Sequence, residues 1–254
     1  MITVIIVIDI GGIFMKKWIL RILLIILCAI VLIGGILVFN GYQLYKSALD
    51  TISLSDKVEQ VQNDENYIKL SDLPIEYKNA VISVEDRRYY EHGPVDYIAI
   101  ARAIFSNLKN QQFLEGGSTI TQQVAKNLYF ISPDENPALR KVAEIFMSYD
   151  LQNDYDKEII LELYVNTIYF GDGYYGIQEA CQGYLKKDAE NMDLFESTMM
   201  AGIPNAPSVY APTVNMDLTL SRQRKVISTM VENVYISQEQ ADELISKQSK
   251  FTLP

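Results

Sequence analysis

The sequence predicts a mainly α-helical domain behind an N-terminal transmembrane helix. No charged residue interrupts Ile22 to Phe39, and about 20 consecutive apolar residues cross a bilayer as a helix. Beyond this run, apolar residues recur at helical spacing, most clearly between Tyr97 and Leu108. The alternating pattern of β-strands is scarce, and there is no internal repeat.

The apolar run reads as an uncleaved signal anchor over residues 18–39. Lys16, Lys17 and Arg21 precede it, and the positive-inside rule then makes residues 1–17 cytoplasmic. No small-residue cleavage site of the A-x-A kind follows the run. The alternative is a removed signal peptide, for which the run is long.

The start of the chain is ambiguous. Residues 1–14 do not look like a start signal, whereas Met15-Lys16-Lys17 does. We therefore expect Met15 to be the initiator and residues 1–14 to be a start-site artefact, with Met1 as the alternative.

The rest of the chain divides into a juxtamembrane stalk and linker over residues 40–69 and one domain over residues 70–254. Within the domain, prolines, capping residues and apolar spacing predict a succession of helices. Their expected positions are a helix starting at Pro74, then 97–108, 119–128, 138–151, 157–170, 177–184, 194–202 and a pair within 218–246. A glycine-tyrosine loop is expected over residues 171–176.

Charge and cysteine content narrow the class of protein. The net charge is −10, and because the first forty residues carry +2, the remainder carries −12. Such an acidic chain is a poor partner for nucleic acid, so an anionic ligand would need a local cluster of cations. The two cysteines, Cys28 and Cys181, do not form a disulfide framework.

The densest group of ionisable residues lies between Glu85 and His92. Glu85 is followed by Asp86 and two arginines, so its ionisation can be tuned from several sides, as a general base requires. The alternative is a surface helix end with ion pairs.

Two further stretches suit an anionic ligand. Gly116 and Gly117 precede a helix N-terminus, where free amides favour anions. The plain alternative there is an ordinary capped helix. Arg140 and Glu144 stand four residues apart on one helix face, which suits a phosphate-binding cation oriented by a carboxylate. The alternative for that pair is a solvated ion pair.

Two short motifs are rejected. Residues 171–176 fit G-x-G-x-x-G but lack a surrounding βαβ pattern. Residues 106–109 fit S-x-x-K, the motif of penicillin-binding domains, but no K-T-G occurs in the chain. We therefore expect a monofunctional protein without penicillin-binding or transpeptidase activity. His92, the only histidine, is not enough for a metal centre.

Taken together, these motifs resemble the family 51 glycosyltransferases, the peptidoglycan transglycosylases found as free monofunctional enzymes and as N-terminal domains of class A penicillin-binding proteins. The resemblance covers about residues 70–235. It rests on five motifs in the family's order: 85–92 (EDRRYYEH), 116–127 (GGSTITQQVAKN), 140–144 (RKVAE), 157–166 (KEIILELYVN) and 222–227 (RQRKVI). The chain departs from the family at Pro94, where glycine is usual.

The resemblance implies a lysozyme-like, two-lobed fold and lipid II as substrate. Glu85 would be the general base and Glu144 the second catalytic carboxylate. The residues expected to bind diphosphate or substrate are Lys126, Arg140, Lys141, Gln122, Gln123, Ser118, Thr119, Asn127, Asp86 and Arg224. No cofactor is required, although a divalent cation, Mg²⁺ or Mn²⁺, held by Glu144 is an alternative.

The expected partners are lipid II, the growing glycan strand, the cell membrane and other cell-wall synthesis proteins, and no nucleic acid. Two other functions stay open. A lysozyme-like hydrolase or lytic enzyme could use a lone glutamate, but it has no diphosphate to stabilise. A non-catalytic cell-wall scaffold would not need Glu85, Lys126, Arg140 and Glu144.

Overall fold

The computed structural model describes residues 2–110, 116–132 and 134–254, with side chains from residue 17 onward except residue 110. It confirms a mainly helical fold that begins with an apolar helix. The helices are α1 (Ile2–Thr51), α2 (Leu54–Gln62), α3 (Ile75–Glu85), α4 (Tyr97–Asn110), α5 (Ile120–Tyr129), α6 (Pro137–Asp154), α7 (Lys157–Thr167), α8 (Ile177–Leu185), α9 (Leu194–Gly202), α10 (Pro207–Tyr210), α11 (Met216–Glu232) and α12 (Gln238–Gln248).

Helix α1 is 50 residues long and therefore spans about 75 Å at 1.5 Å per residue. Its part from Lys17 to Thr51 contains a window with a mean hydropathy of 3.4, none of which is buried in the protein. The helix is long and apolar enough to cross a membrane, as the sequence predicts.

The last three turns of α1 pack against α6. A Cβ at Gly41 would lie 2.5 Å from Cβ of Val142, so only glycine permits this approach. The rings of Tyr42 and Phe146 meet edge to face at 5.2 Å. The hydroxyl of Tyr45 donates to the carboxylate of Asp150. The apolar helix therefore continues without interruption into the packed domain.

This packing differs from the predicted stalk and linker over residues 40–69. Leu54 and Val58 of α2 belong to the hydrophobic core, and α2 packs on α7. The following segment is held by Asn166, whose amide accepts from the backbone N–H of Ile68 and donates to its carbonyl, both at 2.9 Å. The domain therefore begins well before residue 70, because the apolar residues of this segment form a packing face.

Two groups of helices form the bulk of the domain. Helix α3 packs with α9 and α11, and α12 packs on α11. Helix α5 packs with α6 and α7, and α6 also contacts α1. One hydrophobic core runs through both groups.

A small β-hairpin replaces the end of the predicted helix over residues 157–170. Helix α7 ends at Thr167, and strands β1 (Tyr169–Gly171) and β2 (Tyr174–Tyr175) pair antiparallel. Gly171, Asp172 and Gly173 have φ angles of 93°, 53° and 87°, which a helix does not allow. The glycines of the G-x-G-x-x-G match thus serve this turn.

Candidate active site

Glu85 is the last residue of α3 and lines a cavity of about 220 Å³, called here the first cavity. Its Oε2 accepts a 2.8 Å hydrogen bond from Nε2 of Gln123 on α5. Its Oε1 is buried and has no donor among the described residues. One oxygen is thus fixed and the other is available to accept a proton.

The surroundings of Glu85 act on its pKa in both directions. Burial raises the pKa most, because it penalises the charged carboxylate, and the negative charge of Asp86 adds to this effect. The hydrogen bond from Gln123 and the positive charge of Arg222 act the other way. The result is a pKa above the ordinary value of glutamate, as suits a proton acceptor.

Asp86 organises the backbone around Glu85. Its Oδ2 accepts from the backbone N–H of Ile120, the first residue of α5, at 3.1 Å. Its Oδ1 lies 2.7 Å from Nε2 of His92, whose Nδ1 lies 2.6 Å from the carbonyl of Gly93. Both ring nitrogens face acceptors, so the imidazolium is favoured. Burial opposes the charge, but these bonds outweigh it and the pKa of His92 is raised.

Asp86, predicted to bind substrate, therefore lies in the site as a positioning residue. Together with His92 and Asp96 it forms the one close group of potential metal ligands in the described residues. Asp96 is already bonded by Arg88 and by the backbone N–H groups of Ile98 and Ala99. These side chains therefore already have partners among themselves, in Arg88 and in backbone N–H groups.

Thr119 and Gln122 cap α5, and Thr119 also lines the first cavity. The Thr119 hydroxyl accepts from the Gln122 backbone N–H at 3.2 Å and donates to the Pro94 carbonyl at 2.8 Å. Both side chains are buried. The capping box was predicted, but the structure gives these two residues a structural role. Residues 111–115, including Glu115 of the same motif, lie outside the described residues.

Helix α6 connects to the Gly116–Thr119 loop through a chain of polar contacts. Nζ of Lys141 lies 2.8 Å from Oγ of Ser118 and 2.9 Å from Oε2 of Glu144. Nε of Arg140 lies 3.4 Å from the other oxygen of Glu144. Glu144 is buried between two cations, so its oxygens do not suit a divalent ion. They suit the orientation of Arg140 and Lys141.

Lys126 and Asn127 line a different cavity, of about 380 Å³, called here the second cavity. Gln123, which bonds Glu85, lies one turn before Lys126 on α5. Lys126 and Arg140 are both predicted to bind the diphosphate or the substrate. In the structure Lys126 faces the second cavity, while Arg140 is held by Glu144.

The last motif contributes Arg222 rather than the predicted Arg224. Arg222 lines the first cavity and lowers the pKa of Glu85. Arg224 is exposed, and its guanidinium donates to Oε1 of Gln248 on α12 at 2.6 Å. Side chains two positions apart on a helix point to different sides of it. The spacing therefore predicts that only one of the two arginines faces the site. Only the tertiary fold shows that this arginine is Arg222.

The chain is similar to several known proteins. A sequence model described as Transglycosylase matches residues 53–231. Penicillin-binding protein 1A of Neisseria lactamica is 38% identical over 205 residues, which are 80% of this chain and 25% of that protein. Penicillin-binding protein 1F of Bacillus subtilis is 34% identical over 237 residues, 89% of this chain and 33% of that protein.

The chain thus spans about a quarter to a third of the length of these relatives. A crystal structure of penicillin-binding protein 1A from Haemophilus influenzae aligns with a TM-score of 0.45 and 21% identity, covering 74% of this chain and 18% of that one.

Proposed function

Because the chain belongs to the transglycosylase family, we propose that it is a membrane-anchored peptidoglycan glycosyltransferase. It polymerises lipid II into β-1,4-linked glycan strands and releases undecaprenyl diphosphate. The observation that carries this proposal is the state of Glu85, a half-buried residue with a raised pKa and one buried oxygen that has no donor among the described residues. The family requires no cofactor.

Glu85 is the general base of the reaction. Its free Oε1 takes the proton of the 4-hydroxyl of the acceptor GlcNAc while that oxygen attacks C1 of the donor MurNAc. The new C1–O4 bond forms as the bond from C1 to the diphosphate oxygen breaks, with inversion at C1. Gln123 and Arg222 favour the ionised form of Glu85, and the hydrogen bond from Gln123 also fixes the position of Oε2.

The departing diphosphate gains negative charge, which preorganised cations stabilise. Lys126 supplies one such charge at the second cavity. Arg140 and Lys141 supply others beside the Gly116–Thr119 loop, and Glu144 fixes the direction of both side chains. A hydrolase acting on a finished glycan would have no use for these cations, which disfavours the lytic alternative.

The anchor keeps the site close to its lipid-linked substrate. The cations at the start of the apolar stretch, Lys17 and Arg21 among them, support an orientation with the N-terminus in the cytoplasm and the domain on the outer side of the membrane. Packing of α1 on α6 ties the anchor directly to the helix that carries Arg140, Lys141 and Glu144.

The proposal is restricted to the glycosyltransferase reaction. The S-x-x-K match at Ser106 to Lys109 lies within α4, and the 254 residues contain no K-T-G sequence. We therefore assign no transpeptidase chemistry to this chain.

The experiment is incubation of the purified protein with lipid II, followed by separation of the products by size. Glycan strands longer than the substrate support the proposal. Disaccharide release from preformed peptidoglycan, without polymer from lipid II, would support the lytic alternative instead.

A further inference from the structure

The second cavity is unusually positive for so acidic a protein. Lys57 of α2 and Lys126 of α5 both line it, and no aspartate or glutamate does so among the described residues. The first cavity, in contrast, mixes acids and cations, including Glu85, Asp86, Arg87 and Arg222. The net charge of the whole chain is −10, so a cavity whose only charged side chains, among the described residues, are two lysines indicates an anionic ligand.

Neither ammonium group is neutralised by its own helix. The residues three and four positions from Lys57 on either side are Ser53, Leu54, Gln60 and Val61. Those around Lys126 are Gln122, Gln123, Tyr129 and Phe130. None of these is acidic, and no ion pair of either lysine exists in the described part of the chain.

The two helices are held next to each other. The Tyr129 hydroxyl of α5 donates to the carbonyl of Ile52, just before α2, at 3.2 Å. Val58 of α2 is buried in the core. This contact fixes the rotation of α2 about its axis and therefore the direction of the neighbouring Lys57 side chain. Asn127 adds a buried amide nitrogen, Nδ2, with no acceptor in the described residues. Two lysines and an asparagine with an unpaired amide donor thus line one cavity.

We propose that Lys57 is a diphosphate-binding residue that acts together with Lys126. The ligand class is the diphosphate of a lipid-linked saccharide, so this inference rests on the proposed function. Lys57 precedes every motif by which the family is recognised in this sequence, which is why the motifs do not reveal it. Its helix follows the membrane anchor directly, which places the cation where a lipid-bound diphosphate enters the domain.

The kinetic test compares Lys57→Ala, Lys57→Arg and the control Lys69→Ala. Lys69 is exposed and lines neither cavity. Because a hydrogen bond to a charged group contributes about 1.5–3 kcal/mol, we expect Lys57→Ala to lower kcat/KM for lipid II about tenfold or more. Lys57→Arg keeps the charge and should retain most of the activity, and Lys69→Ala should match the wild type.

The binding test does not depend on turnover. The Glu85→Gln variant, in detergent, is treated with a lysine-methylating reagent with and without lipid II, and each lysine is analysed by mass spectrometry. We expect lipid II to protect Lys57 and Lys126 but not Lys69. A parallel sample with phosphatidylglycerol in the same detergent, in place of lipid II, tests whether a headgroup phosphate is the true ligand.

The outcomes separate the two proposals. If the wild type makes no polymer from lipid II, the proposed function fails. If the wild type polymerises but Lys57→Ala behaves like Lys69→Ala, or if Lys57 is protected only by phosphatidylglycerol, the assignment of Lys57 fails alone. Loss of activity in Lys57→Arg equal to that in Lys57→Ala would indicate a packing role and would also overturn it.

Discussion

Gln123 donates a 2.8 Å hydrogen bond to Oε2 of Glu85, and Oε1 of the same carboxylate is left without a donor in the described part of the chain. The two oxygens therefore have different roles. One is held by the protein, and the other is open to the proton of an incoming hydroxyl.

Replacing Gln123 should change the pH dependence of the reaction. The hydrogen bond from Gln123 lowers the pKa of Glu85, so Gln123→Ala should raise that pKa and move the acidic limb of the kcat/KM profile to higher pH. On that limb we expect about a tenfold loss, from the 1.5–3 kcal/mol of a charged hydrogen bond. The control is Gln182→Ala, an exposed residue bonded to Asp188. An acidic limb at the same pH in both variants would show that the Gln123 bond does not tune the base.

Lys126 and Arg140 should contribute unequally to catalysis. Lys126 lines the second cavity without a carboxylate partner, whereas Arg140 is paired with Glu144. We expect Lys126→Ala to cost about 10²–10³ in kcat, as for the loss of one preorganised donor, and Arg140→Ala to cost less. Initial rates with lipid II for both single variants and the double variant give the comparison.

In the double variant the two losses should be less than additive, because both residues act on one leaving group. Lys247→Ala is a suitable control, since Lys247 forms an exposed pair with Glu243. Small and strictly additive effects would mean that the diphosphate binds elsewhere.

Arg222 and Arg224 should give opposite phenotypes. Arg222 lines the first cavity and favours the ionised form of Glu85, so Arg222→Ala should reduce kcat/KM with little effect on the melting temperature. Arg224 joins α11 to Gln248 of α12, so Arg224→Ala should lower the melting temperature slightly and preserve activity. If Arg224→Ala lost activity while Arg222→Ala kept it, Arg224 and not Arg222 would be the substrate-binding residue.

His92 should make stability depend on pH. Its pKa is raised in the folded protein by Asp86 and Gly93, so its contribution is complete below the unfolded pKa of about 6.5. The contribution is lost as the pH rises through the folded pKa. The melting temperatures of the wild type and His92→Gln should therefore differ more near about pH 6 than near about pH 9.

His92 is the only histidine of the chain, so no other imidazole obscures this comparison. A difference in melting temperature that stays constant over the same pH range would mean that the bond to Asp86 does not depend on an imidazolium.

The sequence predicts most helices within a few residues, because caps and apolar spacing are local signals. Asn136 before Pro137 and Asp156 before Lys157 begin α6 and α7 close to where the pattern places them. The packing of Gly41 on Val142 was not predictable, since it depends on residues about a hundred positions apart.

In the site, too, some features are predictable from local sequence and others depend on the tertiary fold. Glu85 stands out by its charged neighbours, and Gln123 by its motif. The sequence could not show that Gln122 is turned inward as a cap while Gln123 reaches Glu85, since both belong to the same short run. Lys57 belongs to none of the family motifs. It lines the same cavity as Lys126 only because the tertiary fold brings the start of α2 to α5.

The base itself is tested by Glu85→Gln, with Glu91→Gln as an exposed control from the same motif. Both purified variants are incubated with lipid II, and glycan strands are measured by size and initial rate. We expect Glu85→Gln to lose about 10²–10⁴-fold in rate, as for removal of a general base, while circular dichroism and lipid II binding stay close to the wild type. Polymerisation by Glu85→Gln at the rate of Glu91→Gln would contradict the assignment of Glu85 as the base.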